Sequence, residues 1–167
     1  MNRPSAAFSR SIVLMQLFRM GIGALAAFAL DQISKIVVVH WLDLASIHLI
    51  PVAPPYLVFA MAWNEGMNFG ILSHQSNRWV FVAFGLAATL AMAVWARTTR
   101  GWIMPLAMGF VVGGALGNAL DRVIYGTVAD FLNMSCCGIR NPYSFNVADI
   151  FIFLGGALLV VFSRRTG

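Results

Sequence analysis

Apolar runs of about 20 residues recur along the chain, and they restrict its fold more than any other feature. They lie at about 20–39, 79–96, 102–120 and 145–162, and charged residues are rare within them. A helix needs roughly 20 apolar residues to cross the hydrocarbon core of a bilayer. Only 10% of the 167 residues are charged, whereas a soluble domain carries about 25%. We therefore predict an integral membrane protein with a single domain, 1–167, formed by an all-α bundle of four transmembrane helices.

The charged side chains are divided unequally between the two ends of these runs. All six acids lie inside the runs or at one set of ends, and seven of the eleven Lys and Arg residues lie near the other set: Arg3, Arg10, Arg19, Arg97, Arg100, Arg164 and Arg165. Cytoplasmic loops of membrane proteins are enriched in Lys and Arg. We predict that both termini are cytoplasmic, and we expect no nucleic-acid partner despite the net charge of +5.

The two outer loops, 40–78 and 121–144, differ in composition. In the first loop, 47–52 and 56–63 have the alternation and turn residues of two short strands around Pro54 and Pro55, which predicts a small β-hairpin or sheet. An apolar hairpin there would lie against the bilayer surface or hold a lipid-like ligand. The segment 64–70 follows it as a loop, where Gly66 and Gly70 permit unusual backbone geometry.

Polar residues also occur inside or at the ends of the apolar runs. Asp31 and Lys35 are four residues apart on one helix face, and they either neutralise each other or hold neighbouring helices in register. Asn118, Asp121 and Arg122 can project from one side of a helix end, although Arg122 could instead extend to lipid headgroups. Polar groups are costly at membrane depth, so such residues are candidates for a functional site.

The glycines of the third run recur at intervals of four. They are Gly109, Gly113 and Gly117. This spacing predicts a groove in which another helix approaches closely.

Two acids are expected to meet at one surface of the membrane, on the side of the two outer loops. Asp130 ends a polar segment, and Asp149 opens the last apolar run. Two adjacent carboxylates cannot both ionise easily, so one retains a proton, and the pair can activate a water and protonate a leaving amine. The helix start favours a negative Asp149 as the base. Alternatively, Ser144 or Asn146 caps the last helix, Asp149 completes a capping box with Asn146, and Asp130 is a solvated loop acid.

Other catalytic machinery is not visible in the sequence. The nucleophile elbow, the zinc-protease motif and the phosphate loop are all missing. His40, His48 and His74 lack acidic partners at metal-like spacing, and the adjacent Cys136 and Cys137 are expected to be free thiols. We predict neither a metal nor a cofactor.

Beyond Arg19, nearly the whole chain resembles lipoprotein signal peptidase, the signal peptidase II family of aspartic proteases of the bacterial inner membrane. Five motifs in order carry this resemblance: Asp31-Gln-x-x-Lys35, Asn64-x-Gly66 with Phe69-Gly70, Gly113-Gly-Ala-x-Gly-Asn118-x-x-Asp121-Arg122, Gly126-x-Val-x-Asp130-Phe and Phe145-Asn146-x-Ala-Asp149.

The resemblance implies that Asp130 and Asp149 are the catalytic pair, on the periplasmic side. It implies a monomer that acts among membrane lipids on prolipoproteins whose cysteine carries diacylglycerol, with cleavage just before that cysteine. The residues it implies as substrate-binding or site-supporting are Asn64, Gly66, Arg122, Asn146, Asn118, Asp121, Asp31 and Lys35.

The chain departs from the family pattern in two places. Asn68 occupies a position where the family has a small apolar residue, and 133–143 follows no pattern of the family.

Two other functions compete with this interpretation. A small proton-coupled transporter would account for the intramembrane charges, although no broken helix or duplicated half is visible. A lipid-binding scaffold would account for the hairpin but not for the paired acids.

Overall fold

The computed structural model describes residues 6–66, 78–139 and 141–163, in which four long helices carry a small sheet at one end. The elements in chain order are α1 Ala6–Lys35, a π-helical segment Ile36–Trp41, α2 Leu44–Ile47, β1 Leu49–Ala53, β2 Leu57–Asn64, α3 Arg78–Ala96, α4 Ile103–Tyr125, β3 Val128–Met134 and α5 Val147–Ser163. The segment after β2 that contains Asn68, Phe69, Gly70 and His74 lies outside the described residues, as do Arg164 and Arg165.

The long helices occupy the four apolar runs, but two of them extend further than the sequence predicts. The first begins at Ala6 rather than near residue 20, because no Gly or Pro interrupts the chain between Ala6 and Arg19. The third run continues as helix to Tyr125. It ends there because Gly126 adopts a left-handed conformation with φ +84° and returns its N–H to the Arg122 carbonyl at 3.1 Å.

Within the described residues, three helical stretches are long and apolar enough to cross a membrane: Arg10–Trp41, Arg78–Ala96 and Ile103–Tyr125. The last helix, α5, is apolar but shorter, with 17 residues. The fold is therefore that of a membrane-embedded helical protein, while the presence of four transmembrane helices stays a prediction.

The helix α4 is central and packs against α1, α3 and α5. Gly109 and Gly113 lie against the α1 backbone, where a Cβ would collide with the Met20 and Ala24 carbonyls, which confirms the predicted groove. On the other side of α4, a Cβ at Gly114 would lie 2.5 Å from the Ala148 carbonyl oxygen of α5. The start of α5 is thus held directly against α4.

The sheet has the order β1-β2-β3 and is antiparallel throughout. The first two strands confirm the predicted hairpin, and Pro51 is tolerated because β1 is an edge strand. The second outer loop, 121–144, contains a strand that was not predicted from the sequence, β3, Val128–Met134. This strand carries polar residues and is stabilised by pairing with β2, more than sixty residues away, with Ala62 opposite Asp130.

A small apolar core fixes the sheet to the end of α1. Its buried members are Val38, Val39, Leu44, Ala129 and Phe131. The rings of Phe59 and Phe131 meet edge-to-face at 5.9 Å. Because Ala129 and Phe131 flank Asp130, this core holds the acid in place from both sides.

Candidate active site

Asp130 lies in the middle of β3 between two side-chain amides. Asn64 donates from Nδ2 to Oδ2 at 2.9 Å, and Asn146 donates from Nδ2 to Oδ1 at 2.6 Å. Asp130 itself is only 2% exposed. Its pKa is raised to about 6: burial raises it most, the negative charge of Asp149 also raises it, and the two amide hydrogen bonds lower it. This carboxyl therefore holds a proton up to a higher pH than an ordinary aspartate.

Asp149 lies in the first turn of α5 and is half-buried. Its backbone N–H donates to Asn146 Oδ1 at 3.0 Å, and its Oδ2 accepts from the Asn146 N–H at 3.2 Å. This reciprocal pair is a capping box, so the local alternative weighed for Asp149 is present. The other carboxylate oxygen, Oδ1, accepts a hydrogen bond at 3.0 Å from Asn118 Nδ2. The cap therefore orients the carboxylate as well as starting the helix.

Two asparagines connect the two acids through one chain of hydrogen bonds. Asn146 Nδ2 donates to Asp130 and also, at 3.0 Å, to Asn118 Oδ1. Asn118 in turn donates to Asp149. The structure thus brings the two acids together on one side of the bundle, at the junction of β3, α4 and α5.

A buried ionic cluster lies beneath this network. Lys35 Nζ contacts Asp31 Oδ2 at 2.7 Å and Asp121 Oδ2 at 2.8 Å. Gln32 Nε2 donates to both acids as well, at 3.0 Å and 3.3 Å. The predicted pairing of Asp31 with Lys35 is therefore present, and it includes Asp121 from a second helix.

Arg122 turns over the ring of Phe81 rather than extending along the helix end. Its guanidinium carbon lies 4.7 Å from the ring centroid, and Nη1 donates to the Asn118 carbonyl at 3.1 Å. Its Nε has no partner among the described residues. Asn64 Oδ1 accepts a hydrogen bond at 3.0 Å from the N–H of Gly66, whose φ is +125°. That glycine conformation bends the chain so that the Asn64 amide can face Asp130.

A cleft of about 600 Å³, lined by both polar and apolar groups, opens over Asp130. Four of its lining residues were predicted from the sequence: Asn64, Gly66, Arg122 and Asp130. Others were not predicted, including Trp63, Glu65, Phe81 and Tyr143. Trp63 and Glu65 adjoin Asn64 in the sequence, which was the signal that could have found them, whereas Phe81 and Tyr143 lie outside every motif and reach the cleft only through the tertiary fold.

An apolar groove of about 630 Å³ borders Asp149 from the other direction. It is lined by Phe145, Asp149, Ile150, Phe153 and Leu154. Phe153 is 80% exposed. Asp130 therefore faces a cleft of mixed polarity, and Asp149 borders an apolar surface.

The remaining candidates for chemistry within the described residues are not part of this site. Cys136 and Cys137 are free thiols, as predicted, and both are exposed. His40 contacts the Tyr125 hydroxyl, and His48 contacts the Ser46 carbonyl. In the described ranges, no three His, Cys, Asp or Glu side chains form a group that could hold a metal ion.

A family model described as signal peptidase (SPase) II matches residues 23–165, which include every residue of this site. The chain belongs to the signal peptidase II family. It is accordingly a membrane-embedded peptidase, as the resemblance of its motifs implied.

Signal peptidase II relatives and solved structures agree with this assignment. The chain is 40% identical over 154 residues to a lipoprotein signal peptidase of Methylorubrum extorquens, covering 90% of this chain and 89% of that protein. It is 36% identical over 140 residues to one from Caulobacter vibrioides, covering 83% and 82%. Two structures titled as a bacterial membrane enzyme, at 2.3 Å and 1.9 Å resolution, are both 25% identical to this signal peptidase II chain. They superpose with TM-scores of 0.70 and 0.72, covering 87% and 84% of this chain and 88% of each solved chain.

Proposed function

We propose that this signal peptidase is an aspartic endopeptidase that removes the signal peptide from diacylglyceryl-modified prolipoproteins, with Asp130 and Asp149 as its catalytic residues. The observation that carries the proposal is the single hydrogen-bond chain from Asp130 through Asn146 and Asn118 to Asp149. Capping of α5 alone would not require Asn146 to donate a second hydrogen bond to Asp130, a buried acid on β3.

The different surroundings of the two acids suggest their roles in hydrolysis. The buried Asp130, whose pKa is raised to about 6, is the proton-holding partner. Asp149, at the N-terminus of α5, is the negative partner. In the attack step, Asp149 takes a proton from a water whose oxygen bonds to the scissile carbonyl carbon, and Asp130 gives its proton to the carbonyl oxygen. When the tetrahedral intermediate collapses, Asp149 delivers its proton to the leaving amine and Asp130 regains one from the hydroxyl.

The two cavities suggest where each part of the substrate binds. The cleft over Asp130 would take the peptide near the scissile bond, with Asn64 and Arg122 as hydrogen-bond donors. The apolar groove beside Asp149 would take the acyl chains of the modified cysteine, with cleavage just before that cysteine. This division places the bond to be cut between a cleft that offers hydrogen-bonding groups and an apolar surface.

The proposed topology follows from charge and helix length. Four spanning helices, with α5 at the short end of the spanning range, would put both termini in the cytoplasm. Arg97 and Arg100 connect α3 to α4 at the end of the bundle away from Asp130. The site then faces the periplasm of a bacterial inner membrane, and a single monomer surrounded by lipid contains both acids.

Replacement of each acid tests the proposal directly. Asp130→Asn and Asp149→Asn should each lower the cleavage rate of a lipidated precursor at least about 1000-fold, because neither variant can complete the proton transfers. Asp43→Asn is the matched control, since Asp43 is an exposed acid in a left-handed conformation that Asn tolerates. Full activity in either dyad variant would overturn the aspartic mechanism, and equal cleavage of a precursor without lipid would overturn the proposed substrate class.

A further inference from the structure

Two carboxylates of the buried ionic cluster bind backbone amides at equivalent places. Asp31 Oδ1 accepts a hydrogen bond at 2.9 Å from the N–H of Ala148, which directly precedes Asp149. Asp121 Oδ2 accepts one at 3.2 Å from the N–H of Ala129, which directly precedes Asp130. Each acid of the dyad is therefore attached through its preceding residue to an acid from a different helix.

One ammonium group joins these two attachments. Lys35 Nζ lies 2.7 Å from Asp31 Oδ2 and 2.8 Å from Asp121 Oδ2, and it also donates to Asn118 Oδ1 at 3.4 Å. The side chains of the three charged residues are 7%, 0% and 1% exposed, respectively. Because charges this deep are held by mutual attraction, displacement of one carboxylate would pull on the other.

The backbone around the cluster is shaped to receive it. Ala148 is in the first turn of α5, where N–H groups have no partner within the helix, and Asp31 supplies one from α1. A Cβ at Gly117 would lie only 2.6 Å from Asp31 Oδ2, so glycine at this position leaves room for the carboxylate. A buried ion pair by itself contributes little to stability. Stability alone therefore does not account for this cluster, whose carboxylates also bind the backbone N–H groups of Ala148 and Ala129.

We propose that Lys35 is a positioning residue that sets the distance between the two catalytic acids, by clamping together two carboxylates that each hold the backbone amide before one of them. The inference rests on the proposed function of Asp130 and Asp149. It goes further because it assigns to three intramembrane charges an effect on the geometry of the reaction.

This role predicts a defect in the chemical step rather than in substrate binding. Asp31, Lys35 and Asp121 are not among the residues that line the cleft over Asp130 in the described part of the chain. A displacement of about 1 Å between reacting groups can cost about 100-fold in rate. Loss of an attachment should therefore lower kcat and leave KM nearly unchanged.

A matched pair of substitutions separates the hydrogen bond from mere occupancy. Asp31→Asn keeps an oxygen that can accept from Ala148, and Asp31→Leu has a similar size but no acceptor. We expect Asp31→Leu to lower kcat at least about 30-fold with KM within about threefold, and Asp31→Asn to retain at least about ten times the kcat of Asp31→Leu. Gln16→Leu is the control, because Gln16 is also buried in α1 but contacts Arg19 far from the site.

A triple variant isolates the clamp itself. Lys35→Met with Asp31→Asn and Asp121→Asn removes all three charges while keeping both oxygen acceptors, so the protein should fold. We expect its kcat to fall at least about tenfold while its melting temperature in detergent stays near that of the unmodified protein. Wild-type kcat in this variant would overturn the clamping role of Lys35.

The pH profile provides a readout that a purely structural role would not change. Three charged groups interact electrostatically with Asp130: Asp149, Lys35 and Arg122. Arg122 also interacts with Asp149. If Asp31→Leu lets the acids move apart, their mutual repulsion weakens and the two limbs of the kcat/KM profile should move closer together. An unchanged profile, or equal kcat losses in Asp31→Leu and Asp31→Asn that follow melting temperature, would overturn the inference.

The outcomes for the two proposals are distinguishable. If Asp130→Asn or Asp149→Asn cleaves the lipidated precursor normally, the proposed function itself fails. If both are inactive while Asp31→Leu matches the unmodified protein in kcat and pH profile, only the positioning role fails.

Discussion

Asp130 and Asp149 have the same side chain but lie in different secondary structures, a β-strand and the first turn of an α-helix. Asp130 is in the centre of a strand, almost fully buried, with amides as its hydrogen-bond donors. Asp149 is half-buried at the start of a helix, where a capping box and the helix N-terminus support negative charge. Burial in the strand raises the pKa of Asp130, whereas Asp149 lies at a helix N-terminus, a position that attracts negative groups. Two chemically equal carboxyls therefore have unequal surroundings.

Of the changes that test this contrast, lengthening each acid by one methylene should have the largest effect. Asp130→Glu and Asp149→Glu should both lower kcat at least about 100-fold, because under the proposed mechanism the longer side chain displaces the carboxyl group from the attacking water. They should differ in stability. Asp130→Glu overfills a buried position and should lower the free energy of unfolding by about 1–3 kcal/mol, whereas Glu is well accommodated in a capping box and should change it by less than about 0.5 kcal/mol at Asp149. Single-turnover cleavage and thermal unfolding in detergent measure the two effects, and equal destabilisation would contradict the contrast between the sites.

A second test uses the pH dependence of stability. The pKa of Asp130 in the folded protein is raised to about 6, above the value of about 3.9 for an unfolded chain. Between these values the folded state keeps a proton that the unfolded state has released, so this group lowers stability as pH rises from about 4 to 6. The upper bound of the effect is about 3 kcal/mol, since each pKa unit corresponds to about 1.4 kcal/mol.

Asp130→Asn removes this titration and provides the comparison. The free energy of unfolding of the unmodified protein, measured relative to Asp130→Asn, should fall by up to about 3 kcal/mol between pH 4 and pH 7. Denaturant titrations in detergent micelles at the two pH values measure the difference. Curves that stay parallel would mean that Asp130 is not the proton-holding partner.

A third test asks whether helix packing places Asp149. Ala at Gly114 would put a methyl group 2.5 Å from the Ala148 carbonyl oxygen and push the first turn of α5 away from α4. The free energy of unfolding should fall by about 1–3 kcal/mol, and cleavage should slow because Asp149 moves with that turn. Gly156→Ala is the control, because Gly156 lies in α5 and a Cβ there would have nothing within 4 Å, and it should raise stability by up to about 1 kcal/mol. Similar results for both variants would show that α5 is not held at Gly114.

Local patterns made much of this arrangement predictable. The apolar runs located the helices, Pro54 and Pro55 marked the hairpin, and the three-residue spacing of Asn146 and Asp149 indicated the capping box that the structure contains. Such features depend on residues within about one turn of one another, so the sequence alone displays them.

Features that depend on distant contacts were not predictable in the same way. The strand that carries Asp130 exists because β2 pairs with it, and its composition alone indicated a loop. The backbone attachments from Asp31 to Ala148 and from Asp121 to Ala129 join different elements and leave no spacing signal. The lining of the cleft by Phe81 and Tyr143 has the same origin.

The smallest expected effect is a shift of the pH profile when the hydrogen bond from Asn64 to Asp130 is removed. The Asn64 amide stabilises the ionised form of Asp130 and so lowers its pKa, and Asn64→Ala should therefore raise that pKa. If Asp130 acts as the protonated partner, kcat/KM falls as pH rises above its apparent pKa, and the variant should shift this alkaline limb to higher pH. Asn133→Ala is the matched control in the same strand as Asp130, because Asn133 donates to the Asn141 and Tyr143 carbonyls instead. A shift of the acidic limb alone would reverse the assignment, since it would make Asp130 the base and Asp149 the proton donor.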